Sequence, residues 1–329
     1  METCDGATPV NTLPAGILLG AVLFDLLIGE PPKRMHPVVW MGRIIAALEE
    51  HSIENHQRLW GVIIVILTAA PFTIAGYLLV GADDSLTVTG IAGILLSIYL
   101  LKSTFSIKML IGEAKRIEEE LERGDIDSAR SKLPIFVSRE TEGFDEEKTT
   151  SAVIESVSES YLDTILSPLF YFTLLGLPGA LAYKAVNTID SMIGYMEPPY
   201  QNLGYLPAKL DDILNYIPAR ISAIIIILAA ATNRRVDALN CARSEHEKTP
   251  SPNSGWPMAA AAGALGVRLE KPGAYTLNAS APPLRPEDIG ESVKLVLRAS
   301  MILIVLVAAM IYFTPTIERW HGLLGILFR

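Results

Sequence analysis

The spacing of charged residues constrains this chain more than any other feature. Residues 6–24, 59–82, 85–101, 164–183 and 299–317 contain no Asp, Glu, Lys or Arg, and residues 213–233 are interrupted only by Arg220. A helix needs about 20 apolar residues to cross a hydrocarbon core of ~30 Å, so several of these runs are long enough. The clearest covers 59–81, with Trp60 and Tyr77 near its ends as interfacial anchors. Residues 301–313 (MILIVLVAAMIYF) and 86–101 follow. Four or more such runs are rare in a soluble protein, which argues against buried helices of a large soluble core. The mean hydropathy of +0.35 is only an average over these runs and the polar segments between them. The expected fold class is all-α, a polytopic integral membrane protein in one membrane-embedded domain spanning residues 1–329. Spans are expected near 13–29, 59–81, 86–105, 164–183, 213–232 and 295–313, with polar helical loops between them.

Some uncharged segments differ in character. Residues 249–267 (TPSPNSGWPMAAAAGALGV) are small and Pro-rich, which predicts a turn followed by a tightly packed helix. Residues 164–183 carry Pro168 and Pro178 and suit a kinked or re-entrant helix, tolerated where protein or a cavity satisfies the freed backbone. Residues 1–12 lack a basic n-region, so the first apolar run reads as an anchor rather than a cleaved signal.

Basic residues give an orientation. Residues 1–20 hold none, and 82–85 carry only Asp83 and Asp84. Lys33, Arg34, Arg43 and Arg58 lie in 30–58, nine basic residues in 102–163 and eight in 234–294. The positive-inside rule then predicts cytoplasmic segments at 30–58, 106–163 and 234–294, with the N-terminus outside, in a cell membrane. An even number of crossings between 163 and 234 follows, as two spans or two re-entrant helices.

A net charge of −9, from 27 basic and 36 acidic residues, opposes nucleic-acid binding, which needs a basic stripe to displace counterions. The two cysteines, Cys4 and Cys241, make neither a disulfide framework nor a metal-ligand pattern. Residues 113–130 mix charge signs at i,i+4 and break at Gly124-Asp125, as an exposed helix and turn would.

Several constellations could carry chemistry. On a helix from about Thr149, Glu155, Glu159 and Asp163 form an acidic stripe opposite Ile154, Val157, Tyr161 and Ile165. This is either a solvated face or a divalent-metal site, since Mg²⁺ prefers one or two carboxylates plus substrate phosphates. In 181–195, Tyr183, Asn187, Asp190 and Gly194 share a face flanked by Lys184 and Ser191, a set unlikely to face lipid. Asp211 and Asp212 are further candidate metal ligands, with Asn215 stacked on Asp211; a helix-start acid pair also complements the dipole. Asp25 interrupts an apolar helix ahead of Gly29-Glu30-Pro31-Pro32 and His36-Pro37. Ser251, Asn253 and Gly255 lie in a rigid turn before an Ala/Gly helix, where backbone N–H groups can hold phosphate. Walker A, GxGxxG, HExxH and GxSxG motifs are absent.

These stretches, in chain order, resemble the adenosylcobinamide-phosphate synthase family, membrane cobalamin biosynthesis enzymes of the CbiB/CobD type. The matching text is DLLIGEPPKRMHPVVWMGRII from Asp25, SRETEGFDEEKTTSAVIESVSESYLDTILSPLFYF from Ser138 and PGALAYKAVNTIDSMIGY from Pro178. It continues with LDDILNYIPAR from Leu210 and SPNSGWPMAAAAGALGVRL from Ser251, and the likeness covers about residues 14–313. The chain departs from the family pattern at Ser160 and Met258, so no role is carried over to those positions.

The resemblance implies condensation of adenosylcobyric acid with an amino alcohol phosphate such as aminopropanol O-phosphate. ATP would drive the amide bond, by converting a poorly electrophilic carboxylate into an acyl phosphate for amine attack. For that reaction, Mg²⁺ is expected at carboxylates among Glu155, Glu159, Asp163, Asp211 and Asp212, and catalysis from Lys184, Asn187, Asp190 and Arg139. Binding of ATP and corrinoid falls to Ser251, Asn253, Gly255, Arg220, Asp25 and His36. Other partners it implies are the lipid bilayer and other late membrane enzymes of the pathway. Two alternatives remain: a transporter of a polar solute, suggested by broken helices and intramembrane polar residues but lacking an inverted repeat, and a metal-dependent transferase acting on a phosphorylated lipid.

Overall fold

A computed structural model describes residues 12–80, 88–137, 141–195 and 197–313. Twelve helices and one small hairpin make up this part: α1 (Thr12–Leu27), α2 (Pro37–Glu50), α3 (Gln57–Val80), α4 (Val88–Lys102), α5 (Lys108–Glu122) and α6 (Ile126–Lys132). Then come α7 (Glu146–Tyr161), α8 (Ser167–Ile193), α9 (Tyr205–Ala229), α10 (Arg235–Glu245), α11 (Gly255–Leu265), strands β1 (Leu269–Lys271) and β2 (Tyr275–Leu277), and α12 (Glu287–Phe313). The expected span edges at 81 and 86–87, and Arg139, lie outside the described residues.

Among the described residues, four stretches are helical, long and apolar enough to cross a membrane: Gln57–Leu79, Glu146–Ile193, Tyr205–Ala229 and Glu287–Phe313; Leu13–Leu27 and Val88–Lys102 are shorter apolar helices. Several of these helices expose large apolar side chains, including Ile66 and Leu78 on α3, Ile217 and Ile224 on α9, and Met301 and Val305 on α12. Outward apolar faces on helices of spanning length are what lipid stabilises. The protein is a multi-pass membrane protein, helical apart from the one short hairpin among the described residues.

The described residues form two compact units. The first draws on Met1–Phe105, Pro168–Pro207 and Ile304–Arg329. Here α1 packs on α4 and α2 on α3, around a core of Ile45, Ile64, Ile189, Ile193 and Leu203. Within α8, Gly176 takes φ 65° and ψ −161° two residues ahead of Pro178, so the helix is broken in its middle. That backbone region is open essentially to glycine alone. Gly176→Ala is expected to cost about 2 kcal/mol, read as a lower unfolding midpoint in detergent micelles.

The second unit draws on Ser106–Ser167 and Ala208–Leu303. Its centre is α7, which contacts α5, α11 and β1. Asp145 caps the start of α7, accepting the Lys148 N–H at 2.8 Å, and this bond holds its carboxyl below the usual range. Every residue from Thr149 to Ser158 is buried, polar ones included. Helix α7 is therefore buried on all sides from Thr149 to Ser158; of the acidic stripe, Glu155 is buried while Glu159 and Asp163 are half-buried. The expected helix and turn at 113–130 forms as α5, Gly124 at φ 76°, and α6. The small-residue helix α11 packs closely on α10, where a side chain at Gly263 would collide with the Asp237 carbonyl and Ala238. Cys241 is buried on α10 and its thiol is pushed up to about 11 by burial, which leaves it unreactive at neutral pH.

Candidate functional site

In the second unit, the α7 stripe meets α9, the turn before α11 and the hairpin. Glu155, 5% exposed, accepts a hydrogen bond from Ser151 Oγ at 2.9 Å on Oε1 and from Tyr275 OH at 2.6 Å on Oε2. Ser151 Oγ itself accepts the Glu270 N–H at 2.8 Å, which anchors β1 to α7. One turn on, Glu159 is hydrogen-bonded to the Ser254 hydroxyl and lies within electrostatic reach of Lys271, Glu155 and Asp211. Asp163 sits in a π-helical turn, Leu162–Leu166, a local widening found often at functional sites.

A single amide ties the far end together. Asn215 Nδ2 donates to Asp163 Oδ1 at 3.1 Å and to Asp211 Oδ2 at 2.9 Å, and its Oδ1 accepts from Ser167 Oγ at 2.7 Å. Two carboxylates from different helices thus share one buried amide, which offsets their mutual repulsion. Glu155, Glu159, Asp163 and Asp211, four of the residues singled out in the sequence, come together along one line. Asp212 joins only through its backbone: its carbonyl accepts from Asn253 Nδ2 at 2.8 Å, while its carboxylate pairs with Lys209 at 3.4 Å.

The turn before α11 differs in detail from the expected phosphate cradle. The N–H groups of Asn253 and Ser254 both donate to Ser251 Oγ at 3.2 Å, so the turn caps itself. Gly255 is required by packing, since a side chain there would meet the His246 carbonyl. Arg220 lies 3.6 Å from the Tyr216 ring centroid and 5.2 Å from that of Trp256. Trp256 in turn stacks on His246.

The first unit holds the remaining described candidates in two places. Asp25 and Lys102 are both fully buried and paired at 2.9 Å. Lys102 also reaches Glu30 Oε1 at 2.8 Å and the Phe105 carbonyl at 3.1 Å. His36 Nδ1 accepts the Val38 N–H at 3.2 Å, capping α2, so its Nε2 carries the proton and donates to Glu30 Oε2 at 2.9 Å. The DLLIGEPP…HP stretch is thereby one continuous ion network around a lysine. On α8, Lys184 Nζ donates to Asn187 Oδ1 at 3.2 Å, Tyr183 stacks on Tyr171, and a side chain at Gly194 would collide with Asp190.

Sequence reasoning assigned no role to Lys102, Ser151, Lys271 or Tyr275. The signal for Lys102 was present: it ends an uncharged run, as Asp25 does, and each needs a partner there. Lys271 and Tyr275 lie in a polar loop, where nothing marks them out.

Among the described residues, no group of three or more His, Cys, Asp and Glu is arranged to hold a metal ion. The donor set fits magnesium only in its usual phosphate-assisted form, with one or two carboxylates and the rest of the shell from a nucleotide. Asp163 and Asp211, joined through Asn215, are such a pair.

Residues 18–296 match the model of the CobD/CbiB protein family. The "Probable cobalamin biosynthesis protein CobD" of Methanothermobacter thermautotrophicus is 44% identical over 85% of this chain and 92% of that protein. The protein of the same name from Methanothrix thermoacetophila is 42% identical over 91% of this chain and 96% of its own length. The "Cobalamin biosynthesis protein CobD" of Dehalococcoides mccartyi is 40% identical over 90% and 97%. No solved structure matches. The family model and these relatives both cover most of the chain, which belongs to the CobD/CbiB family.

Proposed function

We propose that this protein is an ATP-dependent acid–amine ligase of cobalamin biosynthesis, joining adenosylcobyric acid to aminopropanol O-phosphate or a related amino alcohol phosphate. Family membership supports a role in cobalamin biosynthesis. The observation that carries the finer reading is the line Glu155–Glu159–Asp163–Asp211, one buried and three half-buried acids with organised hydrogen-bond partners in a membrane protein. Gathering four carboxylates on one line, even half-buried, costs free energy through desolvation and mutual repulsion, so their juxtaposition argues for a ligand.

In this reading Asp163 and Asp211 would hold magnesium, with ATP phosphates completing its shell. When bound, the metal would screen phosphate charge as the substrate carboxylate is activated. Glu159, beside Lys271 and Ser254, is the carboxylate proposed to take the proton released when the amine attacks. Lys184, Asn187 and Asp190 on α8 are proposed to orient substrate, with Arg220 as a further phosphate-binding cation. The polar loops are proposed to be cytoplasmic, because ATP is cytosolic.

The test is the purified protein with adenosylcobyric acid, aminopropanol O-phosphate and Mg²⁺–ATP. Adenosylcobinamide phosphate should form only with ATP, and Asp211→Asn should lower kcat at least about a hundredfold. Absence of ATP-dependent product overturns the reaction; solute accumulation in proteoliposomes would instead favour a transporter. Full turnover by Asp190→Ala would remove α8 from the assignment.

A further inference from the structure

The hairpin that packs on α7 brings two side chains to the acidic line from opposite strands. Lys271 and Tyr275 are partners in its register, closed by Gly273 at φ 74°. Tyr275 OH donates to Glu155 at 2.6 Å and also lies 3.7 Å from Met258 Sδ, a much weaker acceptor than the carboxylate. Ser151, bonded to the N–H of β1, fixes the other oxygen of Glu155. Both oxygens of this carboxylate are thus oriented by the hairpin, directly or through Ser151.

Lys271 is the cation within reach of Glu159. Among the described residues, it makes no ion pair within 4 Å and no hydrogen bond, so its ammonium is uncommitted. A second buried group is also unsatisfied: Asn253 is 3% exposed, and its Oδ1 has no hydrogen-bond partner among the described residues. It sits in sequence beside Ser254, which bonds Glu159, while its Nδ2 bonds the Asp212 carbonyl. A buried acceptor left open next to a row of carboxylates costs free energy until a donor or cation arrives.

A magnesium nucleotide keeps a net negative charge, so an acidic line alone attracts its metal and repels its phosphates. We propose that the hairpin is the positioning element that resolves this conflict. Tyr275 fixes Glu155 so that the line keeps one geometry, and Lys271 supplies the positive charge that lets the phosphates approach. This rests on the ligase reading for the identity of the ligand, and it is tested apart from turnover.

The experiment uses full-length protein in detergent, with Mn²⁺ replacing Mg²⁺ so that binding is read by electron paramagnetic resonance. Lys271→Met should weaken Mn²⁺–ATP about tenfold, as losing one charge-assisted contact does, while leaving Mn²⁺ alone unchanged or tighter. Lys271→Arg should bind Mn²⁺–ATP as the wild type does. Tyr275→Phe should weaken both probes and raise KM for Mg²⁺–ATP more than it lowers kcat, with a melting temperature close to that of the wild type. Wild-type affinity in both Tyr275→Phe and Lys271→Met overturns the proposal, as does a loss fully accounted for by lowered melting, or a wild type that does not bind Mn²⁺–ATP. If the wild type makes no cobinamide phosphate yet the variants lose Mn²⁺–ATP as described, the hairpin proposal stands and the ligase reading falls.

Discussion

Lys102→Met is expected to destabilise the protein by about 3–5 kcal/mol, the cost of stranding a buried charge. Asp25 is fully buried, and its partner ammonium also serves Glu30 and the Phe105 carbonyl. Methionine fills much of the lysine's volume but leaves a carboxylate in an apolar helix with its cation gone. The double variant Asp25→Leu, Lys102→Met should recover most of the loss, because replacing both members of a buried pair by apolar residues is close to neutral. Reversible unfolding in detergent of the two single variants and the double variant measures the coupling. Additive losses would mean that the 2.9 Å pair contributes nothing beyond its separate side chains.

Asn215→Leu is the second large effect, and it acts on both stability and activity. Its amide donates to Asp163 and Asp211 and accepts from Ser167, and the residue is 1% exposed. Leucine is close in size but removes the donor common to two carboxylates. The expected cost is about 3 kcal/mol, two hydrogen bonds to charged acceptors of which part is recovered by rearrangement. Activity should fall further than stability explains, because the two acids lose their common reference point. Excess Mg²⁺ should restore stability in part, since a cation between the carboxylates replaces the lost donor. A variant that folds, turns over normally and ignores Mg²⁺ would remove Asp163 and Asp211 as a functional pair.

Much of the site was legible in one dimension because helical spacing is a strict ruler. Glu155, Glu159 and Asp163 recur every four residues, so they had to share a face of α7 whatever surrounded them. The pairing of Asp211 with Asn215 followed from the same rule. What lies opposite that face could not be read, because periodicity does not distinguish a face turned to water from one turned to protein. The stripe read equally as a solvated edge; tertiary packing buried Glu155 and left Glu159 and Asp163 half-buried, by bringing α9, α11 and the hairpin against them.

The apolar runs, with their lengths and anchors, determined an all-helical membrane protein from sequence alone, since a bilayer leaves the backbone few other ways to satisfy itself. The two prolines in the fourth run, Pro168 and Pro178, allowed for a kink, which α8 shows at Gly176. Lys102 with Asp25 and Tyr275 with Glu155 were decided by the tertiary structure. These partners lie 77 and 120 residues apart, and no local propensity links them. Long-range pairs of this kind are fixed by the requirement that every buried charge find an opposite charge or a hydrogen bond, and only the folded chain determines which one it finds.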